Sequence, residues 1–219
     1  MNDFFDLRVR YRKRGSIRYI SHLDMNRMMQ RAIARARLPV WYTQGYNPHL
    51  YLTFALPLSL GFESECEFMD LRLVREMPET EFLARLGGQM PQGVELCSVR
   101  PPEHDVRDIA WCDWEVRLPA VSPSAALEAF RKLLDGPIEV EKKTKRGMSL
   151  TDIRPMVSDV KMRASSDALE LGLRCRAGSE TNLNPTLLLS ALCARTGDDA
   201  RDADILRTAV LCADGTPFC

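Results

Sequence analysis

The first apolar and polar positions of the chain alternate. In "FDLRVRYRK", residues 5 to 13, Phe5, Leu7, Val9 and Tyr11 fall on one side and Arg8, Arg10 and Arg12 on the other, which predicts a strand with one buried face and a basic outer face. The period then changes. Ser21 offers an N-cap with Asp24 three residues on, a variant of the capping box, and predicts a helix to about Arg37 that stops before Pro39. At 100° per residue Met25, Met28, Met29, Ala32, Ile33 and Ala36 share one face of it, while Arg27, Arg31 and Arg35 form an i, i+4 ladder on another.

Further along, "PVWYT" and "LYLTFALPL" predict strands on either side of a loop, and "CEFMDLRLV" (66 to 74) alternates again. "ETEFLARLGGQM" (79 to 90) predicts a short helix ended by Gly87 and Gly88, and "GVELCSVRP" (93 to 101) a strand. That order is β-α-β-β-α-β. Residues 103 to 110 are polar and form a connector. Strands at 112 to 121, 138 to 144, 168 to 176 and 205 to 213, with helices from Ser122 or Ser124 to about Leu134 and from Asn184 to about Arg195, repeat the order. The expected fold is α+β: two tandem ferredoxin-like units with antiparallel sheets, at residues 1–102 and 111–219.

Composition sets limits on this picture. The chain has 219 residues and 45% hydrophobic content, enough for a core, and 30 basic residues balance 30 acidic ones. The charge is segregated, however: residues 1 to 60 hold ten arginines or lysines against three acids, and residues 61 to 140 hold eight against sixteen. The seven cysteines lack Cys-x-x-Cys pairs and histidines at ligand spacing, which argues against a zinc or iron-sulfur site and predicts reduced thiols in a cytoplasmic protein. Neither a signal sequence nor a membrane span is expected, and no metal or cofactor.

The loop "YTQGYNPHLYLTF" (42 to 54) holds most of the candidate chemistry. Gly45 permits positive φ, and Asn47-Pro48 initiates a turn. A mere corner does not require Gln44, Tyr46, Asn47 and His49, which together suit an unpaired base; the plainer reading is that Tyr46 and His49 pin the loop to its own domain. A second cluster, Lys142, Lys143, Lys145 and Arg146 in "KKTKRG", followed by Arg154 in "DIRP", suits phosphate contacts, although most such runs are solvated surface. Candidate RNA contacts are thus Arg8, Arg10, Arg12, Arg27, Arg31, Arg35, the loop residues, and this cluster. The candidate acid-base groups are His49, with Tyr46 or Lys145, and His22 with Asp24, although a histidine at a helix start more often caps than catalyses. Glu63, Glu65 and Glu67 alternate as a metal-binding row would, and read better as the solvated side of an edge strand.

The stretch from "RYRKRG" through "ISHLD", "RAIARARLPV", "QGYNPH" and "LPLSLGFESECEF", together with "KKTKRGMSLTDIRP", resembles the bacterial radical-SAM-linked domain family, found alone or fused behind a cobalamin-binding radical SAM enzyme. The resemblance implies a radical SAM enzyme as partner and an RNA-processing context. This chain lacks the radical SAM and cobalamin-binding parts, so that chemistry would come from another polypeptide. Three functions follow as expectations: an RNA-binding accessory module for tRNA or rRNA modification or processing, a metal-independent endoribonuclease, and a protein-interaction subunit that binds no nucleic acid. The endoribonuclease rests on analogy with tandem ferredoxin-like CRISPR enzymes.

Overall fold

A computed structural model describes residues 4–144 and 147–219; of Lys142, Lys143, Thr144 and Met148 the backbone alone is described. Among the described residues there are four α-helices and antiparallel strand ladders, and the chain divides into two units, Met1–Asp108 with Phe218–Cys219, and Ile109–Pro217.

In the first unit the alternation of residues 5 to 13 becomes β1 (Phe5–Lys13), followed by α1 (His22–Arg35), β2 (Leu52–Phe54), β3 (Glu63–Leu73), α2 (Glu79–Gly87) and β4 (Val94–Arg100). The ladder order is β4-β1-β3-β2 with every pairing antiparallel. Val9 and Tyr11 of β1 and Met69, Leu71 and Leu73 of β3 face one side, where Met25, Met29, Ala32 and Ile33 of α1 and Phe82 and Leu86 of α2 complete the core. Burial of this face stabilises α1, which at 14 residues would be marginal alone in water although most of its residues favour a helix.

The two strands expected around the loop are reduced in the structure. "PVWYT" supplies only isolated bridges at Val40 and Tyr42, and "LYLTFALPL" the bridge partner Leu50 and the three residues of β2, because Pro57 has no N–H to continue a ladder. β3 is not an edge strand: it lies between β1 and β2, and a bulge opposite Tyr11 to Lys13 divides the glutamate row, turning Glu67 into the interior. Gly93, before β4, holds φ +92°, and a Cβ there would lie 2.3 Å from the carbonyl oxygen of Arg14, so this closure of β1 against β4 requires glycine.

The second unit runs β5 (Ile109–Pro119), α3 (Pro123–Leu134), β6 (Glu139–Thr144), β7 (Gly147–Asp152), β8 (Val157–Ala164), β9 (Ala168–Arg176), α4 (Pro185–Thr196) and β10 (Asp204–Cys212). Its ladder order is β10-β5-β9-β8, again antiparallel, with β6 and β7 a separate two-stranded ladder. β7 and β8 were not among the expected strands. β7 pairs with β6 alone, whereas β8 alternates half-buried Val160, Met162 and Ala164 with exposed Asp159, Lys161 and Arg163, a period-2 pattern that its sequence does carry.

Candidate functional site

The QGYNPH loop is closed at its neck and open at its tip. Thr43 N–H donates to the His49 carbonyl at 2.8 Å, and His49 N–H donates to the Thr43 hydroxyl at 3.1 Å. The His49 ring turns inward, with Nδ1 3.0 Å from Thr43 Oγ1 and 3.2 Å from the Asn47 carbonyl. Gly45 takes φ +137°, as its place in the turn requires. Gln44, Tyr46 and Asn47 are exposed, the whole Tyr46 side chain stands in solvent, and none of the three hydrogen-bonds through its side chain among the described residues. His49 thus closes the loop on itself through Thr43 and Asn47, and Tyr46 makes no side-chain hydrogen bond among the described residues.

Beneath the neck lies a cluster that the sequence did not single out. The Arg72 guanidinium is 5.0 Å from the Tyr51 ring centre, 5.3 Å from Trp41 and 5.5 Å from Phe4, and is held by Asp6 in a bidentate pair at 2.6 and 2.9 Å. Trp41 meets Tyr51 edge-on at 5.9 Å. A sandwich of cation and rings fixes the loop's base and leaves aromatic area at the surface.

The helix ladder starts from a formed cap, in which Asp24 N–H donates to Ser21 Oγ at 3.1 Å and the Ser21 hydroxyl donates to Asp24 Oδ2 at 2.7 Å. The Ser21 hydroxyl and then Arg27 hold the Asp24 carboxyl below its ordinary pKa. Arg27, Arg31 and Arg35 are all exposed. Arg27 pairs with Asp24 at 3.1 Å, Arg35 reaches the side chain and carbonyl of Gln89 at 3.2 Å, and Arg31 has no partner among the described residues. Exposed contacts of this kind contribute little to stability.

The β1 arginines are arranged otherwise. Arg8, 5% exposed, grips Asp70 in a bidentate pair at 2.7 and 2.8 Å, donates to the carbonyls of His104 and Cys219 at 2.9 and 2.8 Å, and lies 4.3 Å from the Phe218 ring centre. Arg12 pairs with Glu65 at 2.6 Å and Glu95 at 3.2 Å, and Arg14 pairs with Glu63 and Glu65. Arg10 alone of the three is exposed, with one long bond of 3.4 Å to the Glu65 carbonyl. The basic outer face is thus largely neutralised by the glutamates that a metal or solvent was expected to occupy. Arg154 is structural too: it donates to the carbonyls of Leu134 at 2.8 Å and Val157 at 3.2 Å. Arg8 and Arg154 leave the set of phosphate contacts because their guanidinium groups are spent inside the fold. Lys142 and Lys143 lie on the β6 backbone, and Lys145 and Arg146 lie outside the described residues.

A second feature of the first unit is a small recess at the opposite end of α1 from the loop. Tyr11, Lys13 and Glu67, each no more than 4% exposed, form its floor; Met25 and Phe54 line it; His22, Pro57 and Leu58 stand at its mouth. The His22 ring packs edge-on to Phe54 at 5.1 Å, and Lys13 Nζ donates to the Arg18 carbonyl at 3.4 Å. One signal could have found it: Lys13 and Glu67 are charged residues at apolar positions of their strands' alternation, in phase with Val9, Tyr11, Met69 and Leu71. His22 belongs to this recess and Asp24 to the cap, so the structure does not bring them together as an acid-base pair. Among the described residues no group of three or more histidine, cysteine or acidic side chains is gathered as metal ligands would be, and no helix is long and apolar enough to cross a membrane.

Residues 6–185 match the model of a family described as an uncharacterized protein conserved in bacteria, DUF2344. The chain belongs to this family. No curated protein matches it. Among solved structures, the crystal structure of an unknown protein from Galdieria sulphuraria shares 14% identity over 94% of this chain and 99% of that one, with a TM-score of 0.27, a likeness that carries no argument. The DUF2344 span takes in the QGYNPH loop, the arginine ladder, the recess and the β6–β7 hairpin.

Proposed function

We propose that this DUF2344 chain is an RNA-binding module, two ferredoxin-like units in tandem, which presents tRNA or rRNA to a radical SAM enzyme for modification or processing. Each unit has the strand order and helix placement that a split βαβ unit requires, the second with a hairpin inserted after its first helix. The radical SAM partner is supported by the sequence resemblance, and the RNA by the residues.

The observation that carries the RNA reading is Tyr46: an aromatic side chain wholly in solvent on a loop whose neck is fixed by three hydrogen bonds. A fully exposed ring contributes nothing to folding, whereas a preorganised one offers a stacking platform at small entropic cost. Gln44 and Asn47 beside it can read the edges of an unstacked base. Arg35, in the last turn of α1, and Arg37 lead the chain directly into the loop, so cations for the adjoining phosphates lie close by.

The test is binding of the full chain to cellular tRNA and rRNA fragments over a range of salt, with the retained RNA sequenced. Arg27, Arg31 and Arg35 changed together to Ala should lower affinity for every RNA and flatten the salt slope by up to about three charges. Tyr46→Ala should cost about 1–3 kcal/mol of binding with an unchanged slope. Absence of retention at low salt sinks the reading and brings forward the protein-interaction subunit, while RNA cleavage in EDTA that disappears in His49→Ala would make the chain an endoribonuclease.

A further inference from the structure

The chain leaves α1 through a conformation that its residue does not favour. Ala36 ends the helix in right-handed geometry, and Arg37 after it takes φ 51°, in the left-handed region. Glycine, or sometimes asparagine, is the usual residue there, because a Cβ crowds the following carbonyl oxygen. The fold dictates this conformation but not the residue. Ala36 and Leu38 on either side are buried, Arg37 N–H donates to the Ala34 carbonyl at 3.1 Å, and Arg85 donates to the carbonyls of Ala36, at 3.0 Å, and Arg37. A glycine at position 37 would keep each of these backbone contacts. The Arg37 side chain adds nothing to them: it is exposed, and its guanidinium forms no hydrogen bond, ion pair or ring contact among the described residues. Asp159, the other non-glycine residue with positive φ among those described, differs on both counts. Aspartate tolerates the left-handed region, and the Asp159 carboxylate pairs with Arg174 at 2.9 Å.

Residues held in sparsely populated backbone regions cluster at ligand sites, where a local rule is broken for function. The surroundings name the chemistry. From Met25 to Phe62 the chain carries Arg27, Arg31, Arg35 and Arg37 and no aspartate or glutamate. Arg31 is exposed and without a partner among the described residues as well. A guanidinium presents its donors in a planar fork that matches two oxygens of a phosphate. We infer that Arg37 is a phosphate-contact residue of the RNA site, kept in a left-handed conformation for that contact against the stability of the helix end. The inference rests on the RNA reading and adds to it a residue that neither the strand alternation nor the helix ladder includes, although a free phosphate offers the same oxygens.

The experiment compares full-length wild type, Arg37→Gly, Arg37→Lys and Arg100→Ala by urea unfolding and by binding to cellular tRNA and rRNA fragments over a range of salt, with a titration of inorganic phosphate alongside. Arg100, an exposed arginine of β4 without a partner among the described residues, controls for the loss of one charge. Arg37→Gly should move the unfolding midpoint to higher urea. The same variant should bind RNA about three- to tenfold more weakly and lower the salt slope by about one charge. Arg37→Lys should keep the slope and lose part of the affinity, since an ammonium lacks the fork. Arg100→Ala should stay within about twofold of wild type. An unchanged or lower midpoint for Arg37→Gly overturns the trade between stability and binding. RNA binding by Arg37→Gly that falls no further than that of Arg100→Ala overturns the contact and leaves the RNA reading standing. Phosphate binding that disappears in Arg37→Gly, without retention of any RNA by wild type, supports the contact and removes the RNA reading. Absence of both RNA and phosphate binding overturns the two together. Because the glycine variant should fold more stably than wild type, its loss of binding does not come from misfolding.

Discussion

Arg8 and Tyr46 stand at opposite extremes of what one side chain does for this molecule. Arg8 ties β1 to Asp70 of β3 and to two carbonyls, so its removal leaves the half-buried Asp70 carboxylate and the His104 carbonyl without their Arg8 donor. Arg8→Ala should destabilise the chain by about 3–5 kcal/mol in urea unfolding, and Arg8→Lys by a similar order because an ammonium cannot make the bidentate pair. Tyr46→Ala should change stability by less than about 0.5 kcal/mol, whatever it does to binding. Alternation alone gives Arg8 the same outward, polar character as Arg10 and Arg12, and Tyr46 is read from its loop. The difference lies in Asp70, His104, Phe218 and Cys219, which reach Arg8 across 62 to 211 residues of chain and leave no local mark.

α1 is the element whose reading from sequence was most complete. Cap, length and buried face all follow from residues within one or two turns of each other, which is why they were legible. Ser21→Ala should cost about 1 kcal/mol, measured by thermal or urea unfolding, since it leaves the Asp24 N–H without its acceptor. Asp24 adds a pH dependence of known sign. Its folded pKa is depressed, so the helix start gains stability that is fully present above the ordinary carboxylate value and is lost as pH falls through the folded value. Unfolding of Asp24→Asn should therefore converge with wild type in acid and diverge from it above about pH 5. Elements without a buried face behaved differently. β7 escaped detection because it pairs with β6 alone, whereas Val160, Met162 and Ala164 of β8 alternate with exposed Asp159, Lys161 and Arg163 and marked that strand in the sequence. The recess escaped because its charged floor was counted with the surface, although its phase along the strands marked it as interior.

For the molecule as a whole, the cysteines report folding directly. Cys66, Cys112, Cys175, Cys193 and Cys212 are buried, Cys97 is half-buried, and Cys219 is exposed. Burial pushes the Cys175 thiol to about 12 and the Cys193 thiol to about 11, so neither supplies thiolate at neutral pH. Iodoacetamide at pH 8 should label Cys219 first and Cys97 slowly in the native protein, with the other five protected until denaturant is added, as intact-mass spectrometry would show. Labelling of Cys175 at the rate of Cys219 would mean that the second unit opens without global unfolding.

The same molecule carries an ordering problem for its synthesis. Arg8 leaves the ribosome near the beginning, but the ring it faces and one of the carbonyls it donates to belong to Phe218 and Cys219, which arrive only after the entire Ile109–Pro217 unit. Nascent chains ordinarily fold from the N-terminus in vectorial fashion. Here the earlier unit must wait, with its arginine half satisfied, for residues translated after the whole second unit, so a ribosome that stops before Phe218 releases a first unit unable to lock.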